Sequence, residues 1–373
     1  MSIHEEANDV YRKLQKHLDK MPIGFPATES GSDIRVLKHL FTPEEAKLAM
    51  LLKFGWERDL EPLDIIYERL NDRTISKEEL EAKLDEMGHK GLIMTKRYSN
   101  NKYYGNALLA VGMFEFQVNR LTKEFIKDFH DYYEEAWIPE TIRVKGAQLR
   151  TVPVEKSIKP ELNVSNFDQI QMLFETTNGP YMVANCICKQ LKDIEGNPCK
   201  VTSRRELCMG FGYAAQLYID QGWGREITKN EAWDILHQNQ EEGLVLQADN
   251  SQELTFICSC CSCCCEGLSR IAKIPNAGKY MVSNYYASVN GDYCTGCETC
   301  INICPMEAIK LVDNIAKIKE KRCIGCGNCV ANCPSDAISL NKKEKQFTPF
   351  PTMDDLFDKV LVRKKALEKQ KQA

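Results

Sequence analysis

Almost half of the chain is without cysteine: none of its 18 cysteines lies before Cys186. Long apolar runs are missing too. The longest, about Ala107 to Phe114, falls far short of the roughly 20 residues that cross a bilayer. The opening stretch MSIHEEANDV is acidic and polar, unlike a secretory signal, so the expectation is a soluble, cytoplasmic protein. A formal net charge of −4 over 373 residues gives no electrostatic argument for nucleic acid or an acidic membrane surface. Nucleotide signatures are absent as well. Gly210-Phe-Gly212 reads as lacking both a preceding strand and the third glycine of a dinucleotide loop, and no Gly-Lys-Ser/Thr occurs. Nothing points to flavin, nicotinamide or molybdopterin.

What is present is thiol. Ten cysteines fall between Cys186 and Cys265 and eight between Cys294 and Cys333. An untargeted chain sits in a reducing compartment, where disulfides are rare. Thiols at such short spacing are then metal ligands or redox groups.

The last eight obey a rule. Cys294, Cys297, Cys300 and Cys304-Pro305 form one C-x2-C-x2-C-x3-C-P run, and Cys323, Cys326, Cys329 and Cys333-Pro334 repeat it at an offset of 29 residues. Three thiolates, each three residues apart, wrap one face of a cubane, and the fourth must come from elsewhere. Zinc sites pair two C-x2-C knuckles and do not explain two such runs. Over about residues 284–342 the sequence resembles the bacterial two-cluster 2[4Fe–4S] ferredoxins. That resemblance implies two [4Fe–4S] clusters with crossed ligands: Cys294, Cys297, Cys300 and Cys333 on one, Cys323, Cys326, Cys329 and Cys304 on the other. Gly296 and Gly325 would let the backbone approach the clusters, and Ile301, Ile303, Ile309, Ile324, Val330 and Ile338 would surround them with apolar surface.

The middle cysteines follow no such rule. Cys186, Cys188, Cys199 and Cys208 precede the string Cys258-Ser-Cys260-Cys261-Ser-Cys263-Cys264-Cys265. The expectation is at least one further Fe–S cluster, with Cys186, Cys188, Cys199, Cys208, Cys258, Cys260, Cys261, Cys263 and Cys264 as candidate ligands. Two groupings are equally open: the three-spaced Cys258, Cys261 and Cys264, or Cys186, Cys199 and Cys208 with one later thiol. One larger cluster, a zinc site or a thiol relay are the alternatives. His237, near the end of a helix starting at the Thr228 cap, reads as a surface residue favoured by the helix dipole.

The N-terminal part is rich in helix formers. Thr42-Pro43-Glu44-Glu45 starts one helix, a second starts near Glu61-Pro62, and a third at Ser76, with Glu79 completing a capping box. Two strands follow, about 91–93 and 98–109, joined at Asn100-Asn101. Three helices and a hairpin resemble the winged-helix fold over about residues 33–115. Residues 352–370 form a terminal helix whose stripe of Leu356, Phe357, Val360, Leu361 and Leu367 either packs on the chain's own core or docks a partner.

The expected class is α+β: a winged-helix-like domain over 1–140, a cysteine-rich, mostly helical domain over 141–280, a ferredoxin domain over 281–345 and a helical tail over 346–373. More broadly, the chain is similar to the multi-cluster ferredoxin-like proteins of strict anaerobes. The expected role is an electron-transfer protein, a subunit or redox partner of a larger anaerobic oxidoreductase. A redox-sensing winged-helix DNA-binding regulator is one alternative, and a reductase with the middle cluster as its active site is another. Against DNA, Ser76 to Gly91 carries Glu78, Glu79, Glu81, Asp85 and Glu86 against Lys77, Lys83 and Lys90, so the would-be reading helix is net acidic.

Overall fold

The computed structural model describes residues 3–70, 75–99 and 101–372. The chain divides into two compact units, Met1–Gly146 with Met353–Ala373, and Ala147–Thr352.

In the first unit α1 (Ile3–Leu18), α2 (Ser32–Leu40) and α3 (Pro43–Ala49) precede a short strand, β1 (Glu61–Pro62), with α4 (Leu63–Glu68) and α5 (Lys77–His89) after it. The hairpin β2 (Ile93–Tyr98) and β3 (Asn101–Asn106) closes a three-stranded sheet of order β1-β3-β2. Local chemistry sets the helix starts. The Thr42 hydroxyl accepts from the Glu45 amide at 3.3 Å while the Glu45 carboxylate accepts from the Thr42 amide at 2.8 Å. Ser76 and Glu79 repeat the pattern at 3.1 and 2.8 Å. The second helix starts near Glu61-Pro62 as expected, at Leu63 with Pro62 as its N-cap, while Glu61-Pro62 itself pairs as a short strand with Tyr103 and Tyr104. Of the expected turn, Asn101 opens β3 and Asn100 lies outside the described residues. Helices α6 (Lys123–Tyr132) and α7 (Ile138–Val144) complete the unit with the terminal helix Met353–Gln372. The apolar stripe of that helix is used internally. Leu356, Phe357 and Val360 are buried, the Phe357 ring lies 5.2 Å from that of Phe54, and the Lys364 ammonium donates to the Met21 carbonyl at 3.0 Å.

The second unit is organised by strands. β4 (Leu149–Thr151), β5 (Tyr181–Asn185), β6 (Glu206–Phe211), β7 (Arg225–Ile227), β8 (Val245–Asp249) and β9 (Phe256–Cys260) form an antiparallel sheet of order β4-β8-β9-β6-β5-β7. Helices α8 (Ile170–Glu175), α9 (Ile187–Ile194), α10 (Tyr213–Asp220) and α11 (Lys229–Glu241) connect or cover these strands. Val183, Met209, Leu246 and Ile257 of the sheet pack with Ala232 and Leu236 of α11. To the helices expected of the middle region the structure adds a six-stranded sheet on which they are arranged. Its strands carry Cys, Met and Gly, which blur the alternation, and are held by non-local pairing that local propensity does not report. The reading of Gly210-Phe-Gly212 changes with it. β6 does precede this segment, and Gly212, at φ 55°, turns the chain into α10.

The ferredoxin repeat belongs to the same unit. β10 (Tyr285–Val289) pairs antiparallel with β13 (Ile338–Lys342), and β11 (Ile309–Val312) with β12 (Ile315–Ile318). Each cysteine run leads into a short helix, α13 (Thr299–Ile303) or α14 (Asn328–Ala331). α12 (Glu266–Lys273) joins the sheet to this module. A buried ion pair fixes the two together. The Arg150 guanidinium on β4 lies 3.7 Å from Asp168, which accepts from the Asn284 amide at 2.8 Å.

Candidate metal centres

The repeat builds two cavities. The first is lined by Cys294, Cys297, Cys300 and Cys333. The second is lined by Cys304, Cys323, Cys326 and Cys329. In each, three thiols come from one run and the fourth from the other, carried across by the Cys-Pro turn. The halves mirror each other. The Ala316 amide points at Cys294 Sγ and the Ala287 amide at Cys323 Sγ, both at 3.4 Å, so each run is supported by a strand of the other half. Gly296 (φ 69°) and Gly325 (φ 66°) occupy equivalent positions. A Cβ at Gly325 would lie 2.3 Å from the Tyr285 carbonyl, so only glycine fits.

The two cavities differ in exposure. Cys297 is exposed, and the hydroxyl and amide of Thr299 hold its thiol below the ordinary range. Cys326 and Cys329 are buried. Desolvation pushes Cys326 up to about 12 and Cys329 well above the ordinary range, with neighbouring thiols adding to both. Bare thiolates are costly there. A positive iron centre is what would compensate them, and the cavities, the amides aimed at sulfur and the glycine cradles fit [4Fe–4S] clusters.

The ten middle thiols sort into two groups. One is a ring: Cys186 touches Cys188 and Cys208, Cys208 touches Cys258, Cys258 touches Cys260, Cys260 touches Cys265, and Cys265 returns to Cys188. Cys208, Cys258 and Cys260 come from the neighbouring strands β6 and β9. Cys186 and Cys265 are the N-cap residues of α9 and α12, so two helix N-termini point at the ring. Ionisation is uneven around it. Contacts from flanking thiols hold Cys186 and Cys265 well below the ordinary range, while the same contacts and burial push Cys188 and Cys260 well above it.

The other group is Cys199, Cys261, Cys263 and Cys264, whose sulfurs all lie within 4.8 Å of one another. Between the groups sits Lys189, 1% exposed, donating to the Ser259 carbonyl at 3.4 Å. Burial disfavours its charge, but Cys186, Cys261, Cys260 and Cys199 outweigh that and raise its pKa. Of the thiols grouped from sequence, Cys258 is in the ring while Cys261 and Cys264 are in the compact set, and Cys199 joins that set, packed in one cluster with Cys186 and Cys208. Cys265, left out of the candidates, closes the ring. Its position as the residue opening α12 was the signal available. His237 is half-exposed, facing Trp233 and 3.8 Å from the Glu155 carboxylate.

The family model of the 4Fe-4S dicluster domain matches residues 286–334, the stretch from β10 to the second Cys-Pro turn. No curated protein and no solved structure matches the chain. Residues 286–334 are thus an iron–sulfur, ferredoxin-like domain, and such a domain supports one-electron transfer. No helix among the described residues is long and apolar enough to cross a membrane.

Proposed function

We propose that this protein relays single electrons among iron–sulfur clusters as a subunit or redox partner of a larger anaerobic oxidoreductase. One [4Fe–4S] cluster would be held by Cys294, Cys297, Cys300 and Cys333, the second by Cys304, Cys323, Cys326 and Cys329, and a further Fe–S centre by the middle ring. The observation that carries this reading is the crossed set of four thiols lining each ferredoxin cavity. When bound, the clusters supply one-electron redox chemistry; the chain sets their spacing, exposure and surroundings.

The surroundings support a direction. The first cavity reaches solvent at Cys297, where a partner could exchange electrons. The second lies against the middle region. The Asn328 amide on α14 donates to the Gly243 carbonyl at 2.6 Å, and two residues on, Val245 pairs with Cys260 of the ring. Cys260, Cys300, Cys326 and Cys329 share one apolar core.

The first unit is read as a winged-helix-like module that docks protein. The strand order β1-β3-β2 behind α2–α5 supports the likeness. Several of its cations are already paired. Lys102 pairs with Glu81 at 3.1 Å and Asp85 at 2.5 Å, Lys96 with Glu57 at 2.9 Å, and Lys90 with Glu45 at 2.8 Å. Such a surface offers little to phosphate.

An anaerobic reductive titration tests the relay. Uptake of one electron by each repeat cluster, returned to a one-electron acceptor, is expected. Failure to take up electrons at any accessible potential would overturn it.

A further inference from the structure

We propose that Cys199, Cys261, Cys263 and Cys264 form a separate mononuclear site, binding a single tetrahedral ion, zinc or iron(II), and not a cluster. It rests on reading the middle thiols as metal ligands.

Size favours a single ion. A zinc ion bound by four thiolates at about 2.3 Å sets neighbouring sulfurs about 3.8 Å apart along each tetrahedral edge. The measured separations are 3.6 Å for Cys199–Cys261, 3.9 Å for Cys199–Cys263, 3.4 Å for Cys261–Cys263 and 3.6 Å for Cys263–Cys264. Cys264 also lies within 4.8 Å of Cys199 and Cys261. A cubane needs more room, because each thiolate binds a different iron. The same molecule supplies the comparison. Among the described residues this is the one group of metal-ligating side chains drawn within 4.8 Å; the ferredoxin sets and the ring are wider. The separations are also too long for disulfides.

Charge agrees. Four thiolates around a divalent ion leave a net −2, and both Lys189 and Arg205 lie close enough to feel these sulfurs. The Lys189 ammonium is buried, and a buried cation needs a compensating anion. The Lys200 amide donates to Cys263, as thiolates in metal knuckles require.

The site also has a structural task. It ties the loop bearing Cys199 to the turn Cys261–Cys264, and that turn is flanked by the ring residues Cys260 and Cys265. The ion would fix the two ends of the segment that holds the ring, outside the electron path.

Metal analysis of anaerobically purified full-length protein, with X-ray absorption at the zinc edge, tests the proposal. About one zinc per chain with four sulfur neighbours near 2.3 Å is expected. One iron in excess of labile sulfide is the alternative arm, and it supports the site with iron as occupant. Cys199→Ser should lose that ion, whereas Cys188→Ser, in the ring, should lose iron and sulfide together but keep it. If all metal is iron matched by sulfide, or if the ion survives in Cys199→Ser, the mononuclear site is overturned. If Cys188→Ser changes neither iron nor sulfide, the ring reading fails and this one stands.

Discussion

Gly325 shows how narrowly single residues set these cavities. It combines φ 66° with a carbonyl 2.3 Å from any Cβ, so Gly325→Ala must both strain the backbone and push Tyr285 away. A left-handed non-glycine residue alone costs about 1–2 kcal/mol. The expected outcome is a lower melting temperature and selective loss of the second cluster's signal in electron paramagnetic resonance. Crossed ligation makes a sharper prediction. Cys304→Ala removes a thiol that lies in the first run but lines the second cavity, so the second cluster should be lost and the first kept. Spectra of the reduced variant showing the reverse would refute the crossing. A third residue couples folding to pH. Asp249 is fully buried behind Arg150, and desolvation pushes its carboxyl up to about 6 from 3.8. The folded state therefore holds a proton that the unfolded state releases between those values. Its stabilising contribution is complete below about 4 and is lost as pH rises through about 6, on the order of 3 kcal/mol in all. Melting curves from pH 7 to pH 5 should show wild type gaining on Asp249→Asn.

At the level of elements, legibility followed locality. Both helix starts were readable because the Thr42–Glu45 and Ser76–Glu79 pairs form within one turn, although only the second was read as a capping box. Ser76→Ala should cost the unit containing it about 1 kcal/mol, seen as a lower midpoint in its thermal unfolding. The strands of the middle region were not readable in this way. Phe256–Cys260 and Glu206–Phe211 gain their identity from each other through pairs far apart in sequence, such as Met209 with Ile257, and three of their positions are cysteines that carry no β signal. The terminal helix lay between these cases. Its stripe was visible, but what covers it was not: Lys364, on the same face, turned out to be buried and bonded to backbone carbonyls of the N-terminal segment.

Across the whole molecule, the ferredoxin repeat was legible and the middle site was not, for one physical reason. In the repeat, ligands to one cavity are contiguous except for one, at a fixed offset. In the middle, Cys258, Cys260 and Cys265 serve the ring while Cys261, Cys263 and Cys264 serve the compact set, so the two groups interleave along eight residues. A strand that turns sharply at Cys261 separates them in space, and spacing in sequence cannot report that. Whether the thiols of the second unit hold iron–sulfur centres is read from iron and acid-labile sulfide in anaerobically purified protein. About eight iron and eight sulfide are expected from the repeat, with more of both from the ring. Iron well below eight, or iron without sulfide, would contradict it.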